Sequence, residues 1–386
     1  MTEITVAAAA LRTNVRRLRA LAAPARYAAV VKGNAYGHGL VSTARALEPV
    51  VDALCVYRAD EAVTLRGAGV AVPLLVLGPV EVRELDAVHA TGAALTLWSE
   101  GAFRRELARV ALRRGAPFPV HAKIDTGVTR LGLPAQRAAR ALGDYLAASE
   151  LELLGVYTHL AAVEELESTY TLAQLERFEA ALAPAASELA RRGVLRHAAA
   201  SAAAMLFPHL RLDMIRAGIA TYGIWPSAKT RLAAGGRIEL EPALAWTTQL
   251  VVIREVDAGQ AVGYGCSFVT ARPSRIGVLP IGYAEGLPRA LSNAGTALVG
   301  GRRVPFVGRI CMNMSFIDVT DVGSSTTGSR VTLIGRDGAE SQDANELAAA
   351  AGTIGYELVA RLPADIPRRS VEASTEIASR RSSVPS

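Results

Sequence analysis

Ala28–Gly39 reads A-A-V-V-K-G-N-A-Y-G-H-G, an apolar run that ends in Lys32 and gives way to Gly33, Gly37 and Gly39. The run 27–31 has the length and composition of a buried strand, and the glycines mark the turn that leaves it. Lys32 is therefore expected at the carboxyl end of a strand, its amine directed above the sheet. Of the 42 basic residues only Lys32, Lys123 and Lys229 are lysines. In a chain whose charge is carried by Arg, a Lys at a strand end points to a position that needs an amine. Arg neither forms a Schiff base nor deprotonates, whereas a desolvated Lys does both. On position alone, a solvated loop Lys flanked by glycines is an equal reading.

A chain of 386 residues that is 51% hydrophobic and 20% charged has enough apolar surface for two folded domains. The net charge of +6 comes from arginines scattered along helical stretches such as 12–19 and 104–114, with no interleaved aromatics. That pattern argues against a nucleic-acid partner. Cys55, Cys266 and Cys311 have no paired spacing, which fits a reducing compartment, and the histidines form no metal-ligand pattern. No apolar run approaches membrane-spanning length, and the run 4–11 stops at Arg12 with no basic segment before it. A cytoplasmic protein without metal or membrane partner is the expectation.

Beyond the opening stretch, apolar runs alternate with helical patterns. Strands are expected at 53–57, 73–77, 93–97, 118–124, 153–158, 195–199 and 214–222. Helices are expected at 8–22, 59–68, 80–91, 101–114, 134–149, 171–192 and 202–207. With the run 27–31, this alternation predicts an α/β fold, an N-terminal (β/α)8 TIM-type barrel over residues 1–232. No G-x-G-x-x-G follows the first strand, which counts against a dinucleotide fold. From residue 233 to 371 come short β-branched runs broken by Gly and Pro, at 245–255, 274–279, 296–299, 303–307, 314–320 and 330–334. They predict a C-terminal mostly-β domain with one helix at 344–351, and a flexible tail over 372–386. Barrel sites form where strands run out. Those positions hold Lys32, Asp125 with Arg130, His159, Ser201, and Arg216 with Gly218.

Several motifs in order then carry a resemblance: A-V-V-K-G-N-A-Y-G-H-G, K-I-D-T-G-V-T-R-L-G, L-L-G-V-Y-T-H-L, H-A-A-A-S, R-A-G-I-A-T-Y-G, G-Y-G-C-S-F, I-G-Y-A-E-G, G-R-I-C-M-N-M and T-I-G-Y-E. From about Ala28 to Arg369 the chain resembles the alanine racemase family, pyridoxal phosphate (PLP) enzymes built from a barrel and a β-domain. The resemblance implies that Lys32 bears the cofactor, and that Tyr36, Ser201, Gly218, Ile219 and Tyr356 hold its phosphate. It places Arg216 at the ring nitrogen and joins His159 and Arg216 in a hydrogen-bonded chain leading to Tyr264. Arg130 and Met312 are implied at the substrate carboxylate. Lys123, a lysine often carbamylated in this family, braces Arg130, with His197, Tyr283 and Asn313 in support.

By the same resemblance, L-alanine and D-alanine interconvert by two bases, Lys32 on one face and Tyr264 of a second subunit on the other, in a homodimer that supplies D-alanine for peptidoglycan. Three positions depart from the family pattern. Asn313 stands where Asp is usual, Ala200 replaces an Asn before Ser201, and Glu164 stands for an entrance Asp. These keep a racemase of altered preference, such as one for serine, in view. Arg216 argues against a related decarboxylase, which has an acid there, and Tyr264 against single-barrel PLP carriers, which lack the second domain.

Overall fold

The computed structural model describes residues 2–99, 101–166 and 168–373. Eight parallel strands form one sheet, with Met214–Ala217 beside Arg26–Val30. Ala53–Val56, Leu74–Val76, Ala94–Leu97, Phe118–Asp125, Leu151–Tyr157 and Leu195–His197 follow in order. The ring nearly closes where Asp213 N donates to Arg196 O at 3.0 Å and Arg216 N donates to Ala199 O at 2.9 Å. Strand residues alternate between two cores, as a closed sheet requires. Ala28, Val30, Cys55, Leu75, Ala94 and Met214 pack together inside the ring. Ala29, Val31, Leu54, Val56 and Leu74 pack outward on the helices. The helix Ala8–Ala22 shows why those crossovers dock: Leu11, Val15, Leu18 and Ala22 are buried on one stripe.

The second unit is built on a sheet containing Leu244–Gln249, Thr296–Val299, Arg302–Pro305 and Arg330–Asp337, and on a three-stranded sheet of Val252–Val256, Ser274–Leu279 and Ser315–Asp318. The single run expected at 245–255 is thus two strands in two sheets, because the chain turns at Leu250 and Val251. The eighth barrel strand is shorter than expected. It ends at Ala217, and Gly218 (φ −104°, ψ −99°) leads into a 3-10 turn, Ile219–Tyr222. The long helix expected at 171–192 breaks into Tyr170–Leu182, Ala183–Ala185 and Ala186–Arg191. Pro184 cannot continue the hydrogen-bond ladder.

One element crosses the division expected at residue 232. Glu3–Ala7 is a strand lying between Leu244–Gln249, to which it runs antiparallel, and Arg368–Val371, to which it runs parallel. Ile4, Thr5 and Val6 are β-branched and suit a pleated, buried surface, whereas the alanines that follow start the helix. Of the flexible tail expected over 372–386, residues from 374 lie outside the described ones.

The seam between the units is close at Gly223, whose φ is +77° and where an added Cβ would stand 1.9 Å from Glu241 O. Gly235, with φ +56°, has nothing nearer than 3.9 Å. Gly223→Ala adds overpacking to left-handed strain and should cost about 2–5 kcal/mol, against about 1–2 kcal/mol for Gly235→Ala. Paired thermal melts check this: Gly223→Ala should melt clearly lower, and equal melting temperatures would contradict the close approach.

Candidate active site

Lys32 follows the first barrel strand and opens a turn of unusual hand. Gly33, Asn34, Ala35, Tyr36 and Gly37 all have positive φ, of 63°, 54°, 54°, 52° and 79°. For non-glycine residues this conformation costs about 1–2 kcal/mol each, and such strain persists where the surroundings fix it. The turn brings Lys32 and Tyr36 onto one cleft of about 1330 Å³, lined also by Lys123, Arg130, His159, Ser201, Arg216, Gly218, Ile219 and Tyr356. The sequence expectations from the barrel therefore converge.

Cations dominate the floor of this cleft. Burial lowers the Lys32 amine pKa, Arg130 lowers it further, and Glu61 partly opposes them. Lys123 is pushed down to about 8 by burial and by the charges of Arg130 and Arg216. Arg130 is carried on a loop shaped by Asp125, whose carboxylate accepts from the N–H groups of Gly127, Val128, Thr129 and Arg130 at 2.9–3.2 Å. Burial opposes ionisation of Asp125, but these bonds hold its pKa below the usual value.

Arg216 is 4% exposed, and among the described residues no carboxylate pairs with it. Its Nη2 donates to Thr158 O at 2.8 Å and its Nη1 to His197 Nδ1 at 2.7 Å. Arg has no acceptor, so His197 Nδ1 is bare and its proton sits on Nε2, which donates to His121 Nδ1 at 2.9 Å. Burial and then Arg216 push His121 down to about 3 and His197 well below its ordinary value, so both rings are neutral. Tyr157 stacks on His197, ring centroids 4.8 Å apart, and lies under the Arg216 guanidinium. The expected link from Arg216 to His159 is not the one formed, since the guanidinium turns to His197. His159 lines the cleft beside it, neutral with a pKa of about 3, and its carbonyl accepts from the buried Gln174. His121 was not singled out from sequence. The signal was there in H-A-K, because alternation along a strand puts His121 and Lys123 on the same face.

The same cleft has a polar corner at Ser201 and Gly218. Ser201 Oγ accepts from Gly218 N at 3.1 Å and Ala220 N at 3.4 Å. At Gly218 an added Cβ would stand 2.5 Å from Tyr36 Oη, so glycine alone lets the phenol close on the backbone. The Tyr356 ring stands 6.3 Å from that of Tyr36. Burial raises both phenol pKa values, so both are neutral donors. Ala200 lines the same cleft. Glu164 stands on the lining and accepts from Thr230 Oγ1 at 3.1 Å.

The remaining expected residues are elsewhere. Tyr264, Tyr283 and Met312 lie on the second unit, 72%, 45% and 57% exposed. The loops of Tyr283 and Met312 are knit together: Tyr283 N donates to Cys311 O at 3.1 Å and Ala284 N to Met312 O at 2.9 Å. Asn313 Nδ2 donates to Glu285 Oε1 at 2.7 Å. An ionised Asp there could only repel Glu285, so the amide suits its neighbour. Among the described residues no three His, Cys, Asp or Glu side chains converge as a metal site, and no helix is long and apolar enough to cross a membrane.

Comparison with known proteins agrees with this architecture. Residues 6–226 match the family model for the alanine racemase N-terminal domain and 243–370 that for the C-terminal domain. The chain is 41% identical over 363 residues to the alanine racemase of Symbiobacterium thermophilum, covering 93% of this chain and 94% of that one. It is 37% identical to that of Methanococcus maripaludis, covering 93% and 95%. The crystal structure of alanine racemase from Bacillus anthracis with bound L-Ala-P superposes with a TM-score of 0.85 at 34% identity, covering 97% of this chain and 95% of that one. In sequence over both domains and in fold, the chain belongs to the alanine racemase family of isomerases.

Proposed function

We propose that this racemase uses PLP, two bases and a shared homodimer site to interconvert L-alanine and D-alanine. The observation that carries the reading is the convergence, in one cleft, of a depressed-pKa lysine, an acid-free buried arginine and an anion-shaped corner. The residues fit the cofactor. Tyr36, Tyr356 and Ser201 present hydroxyl protons beside the Gly218–Ile219 backbone, where the missing side chain of Gly218 keeps the corner open to the Tyr36 hydroxyl, as a phosphate site requires. Bound there, PLP supplies an electron sink for the pair left on the substrate α-carbon when its proton departs.

Lys32 Nζ, with its ammonium form disfavoured, holds or releases a proton on one face. Arg216, which keeps its own proton, would donate a hydrogen bond at the ring nitrogen without protonating it, and so would moderate the sink and favour proton return. The neutral His197 and His121 let that guanidinium stay charged without a counter-ion. Arg130 and the partner's Met312 orient the substrate carboxylate. Inversion needs a second acid–base group on the opposite face. Tyr264 Oη is that group, and its exposure off the lining of its own chain's cleft supports delivery to a second copy. Tyr283 and Met312 on the same knit surface make an apolar patch suited to that contact. Lys123, partly neutral near pH 8, can add to CO2 to give a carbamate and a proton. The anion so formed would brace Arg130. The product D-alanine would serve peptidoglycan synthesis in the cytoplasm.

Purified protein with PLP and L-alanine should form D-alanine, followed with a stereospecific oxidase and with L-serine as competitor. Lys32→Ala should abolish turnover, and Tyr264→Phe should lower it by about 10²–10⁴-fold. Mixing the two inactive chains should restore activity, because one site of each mixed dimer has both groups; no recovery would place Tyr264 in its own chain's site. Gly218→Ala should weaken PLP binding, measured by absorbance titration, with little change in melting temperature. Amine labelling of the three lysines against pH, read by peptide mass, should show Lys123 reacting with a midpoint near 8. Below that pH its ammonium form resists labelling. Lys229, whose pKa Glu165 raises, should react only at higher pH.

A further inference from the structure

The left-handed turn from Gly33 to Gly37 is gripped at both ends by charged side chains from different parts of the fold. At its start, Gly33 N donates to Glu61 Oε1 at 2.8 Å. The other oxygen of Glu61 accepts from Tyr57 N at 2.8 Å and Arg58 N at 3.1 Å. Glu61 is 7% exposed, so one buried carboxylate ties the loop after the first barrel strand to the loop after the second. At the far end, Gly37 O accepts from Arg368 Nε at 2.7 Å. The rest of that guanidinium is caged by carbonyls of the second unit: Pro363, Ala364 and Ile366 on Nη1, Leu362 on Nη2. Beside this contact an added Cβ at Gly37 would lie 1.9 Å from Val359 O. Val359 belongs to the helix Gly355–Ala360, which also bears Tyr356.

We propose that Glu61 and Arg368 are positioning residues that clamp the turn at its first N–H and its last C=O. The placement of Lys32 and Tyr36 then depends on the second unit as well as on the barrel. The charges have the sense that helix ends favour, negative on free N–H groups and positive on free carbonyls. The inference rests on the reading of Lys32 as the cofactor lysine.

The test is PLP titration of the cofactor-free protein by absorbance, followed by borohydride reduction and mapping of the modified lysine. Wild type should be modified at Lys32. Arg368→Ala and Glu61→Gln should each raise the dissociation constant roughly tenfold or more and reduce the yield at Lys32. Arg368→Lys, which keeps a donor for Gly37 O, should fall between, and stands in should the alanine variant fail to fold. Arg66→Ala is the control. Arg66 donates to Thr91 O, Val70 O and Val72 O in a similar carbonyl cage outside the cleft. Its loss should lower the melting temperature while leaving PLP affinity unchanged. Wild-type affinity and Lys32 yield in both clamp variants would overturn the inference alone, as would an equal loss of affinity in Arg66→Ala. Wild-type modification at Lys123 or Lys229 would overturn the reading of Lys32 and the clamp with it.

Discussion

A guanidinium buried inside the barrel, with no carboxylate beside it among the described residues, sets the terms for the groups around it. Removing a charge from water costs several kcal/mol even after relaxation, and an acid would be the simplest relief. Here relief comes from backbone carbonyls, from an imidazole nitrogen and from the face of Tyr157. That choice propagates. His197 must be neutral to accept, its other nitrogen must then donate, and His121 must be neutral in turn. Gly155 must lack a Cβ, which would stand 2.2 Å from His121 Nδ1. The uncompensated charge also bears on Lys123 and His159, helping to depress both. The cations Lys32, Lys123, Arg130 and Arg216 on one lining, with Glu164 also on it, favour an anionic ligand beside them.

Much of this was legible because it is local. Apolar runs of strand length, with polar residues recurring where they stop, mark the barrel, and strand ends pointed to Lys32, Arg130, His159, Ser201 and Arg216 before any geometry was known. Features that depend on distant partners were not legible. Nothing near Glu61 distinguishes it from a surface acid on a helix, since its role comes from Gly33, twenty-eight residues earlier. Arg368 reads as one more arginine among many, because its carbonyl cage and Gly37 are brought together only by the docking of the two units. The helix at Gly355–Ala360 and the strand at Glu3–Ala7 are too short to announce themselves by periodicity. Arg216 and His159 both stand at strand ends, yet which histidine the guanidinium engages depends on rotamers, which spacing does not encode.

The two units are therefore less separable than their sequence textures suggest. The second contributes Tyr356 to the lining of the barrel cleft and Arg368 to the turn beneath it, while presenting Tyr264, Tyr283 and Met312 away from that cleft. One domain thus faces its own barrel with one edge and the surroundings with another. The knitting of the 282–285 and 311–313 loops by backbone bonds gives the outward edge a fixed shape before anything meets it, so little ordering entropy opposes association.

The strand Glu3–Ala7 has a consequence for how the chain is made. It leaves the ribosome roughly 240 residues ahead of one neighbour and 360 ahead of the other. At about 5–20 residues per second it must wait on the order of tens of seconds with its edges unsatisfied. The helix that follows can dock on the nascent barrel meanwhile, leaving the strand as a held-open slot in a sheet not yet synthesised. Pairing with Arg368–Val371 is thus deferred until roughly 360 further residues have been made, and only then can the strand gain its second neighbour.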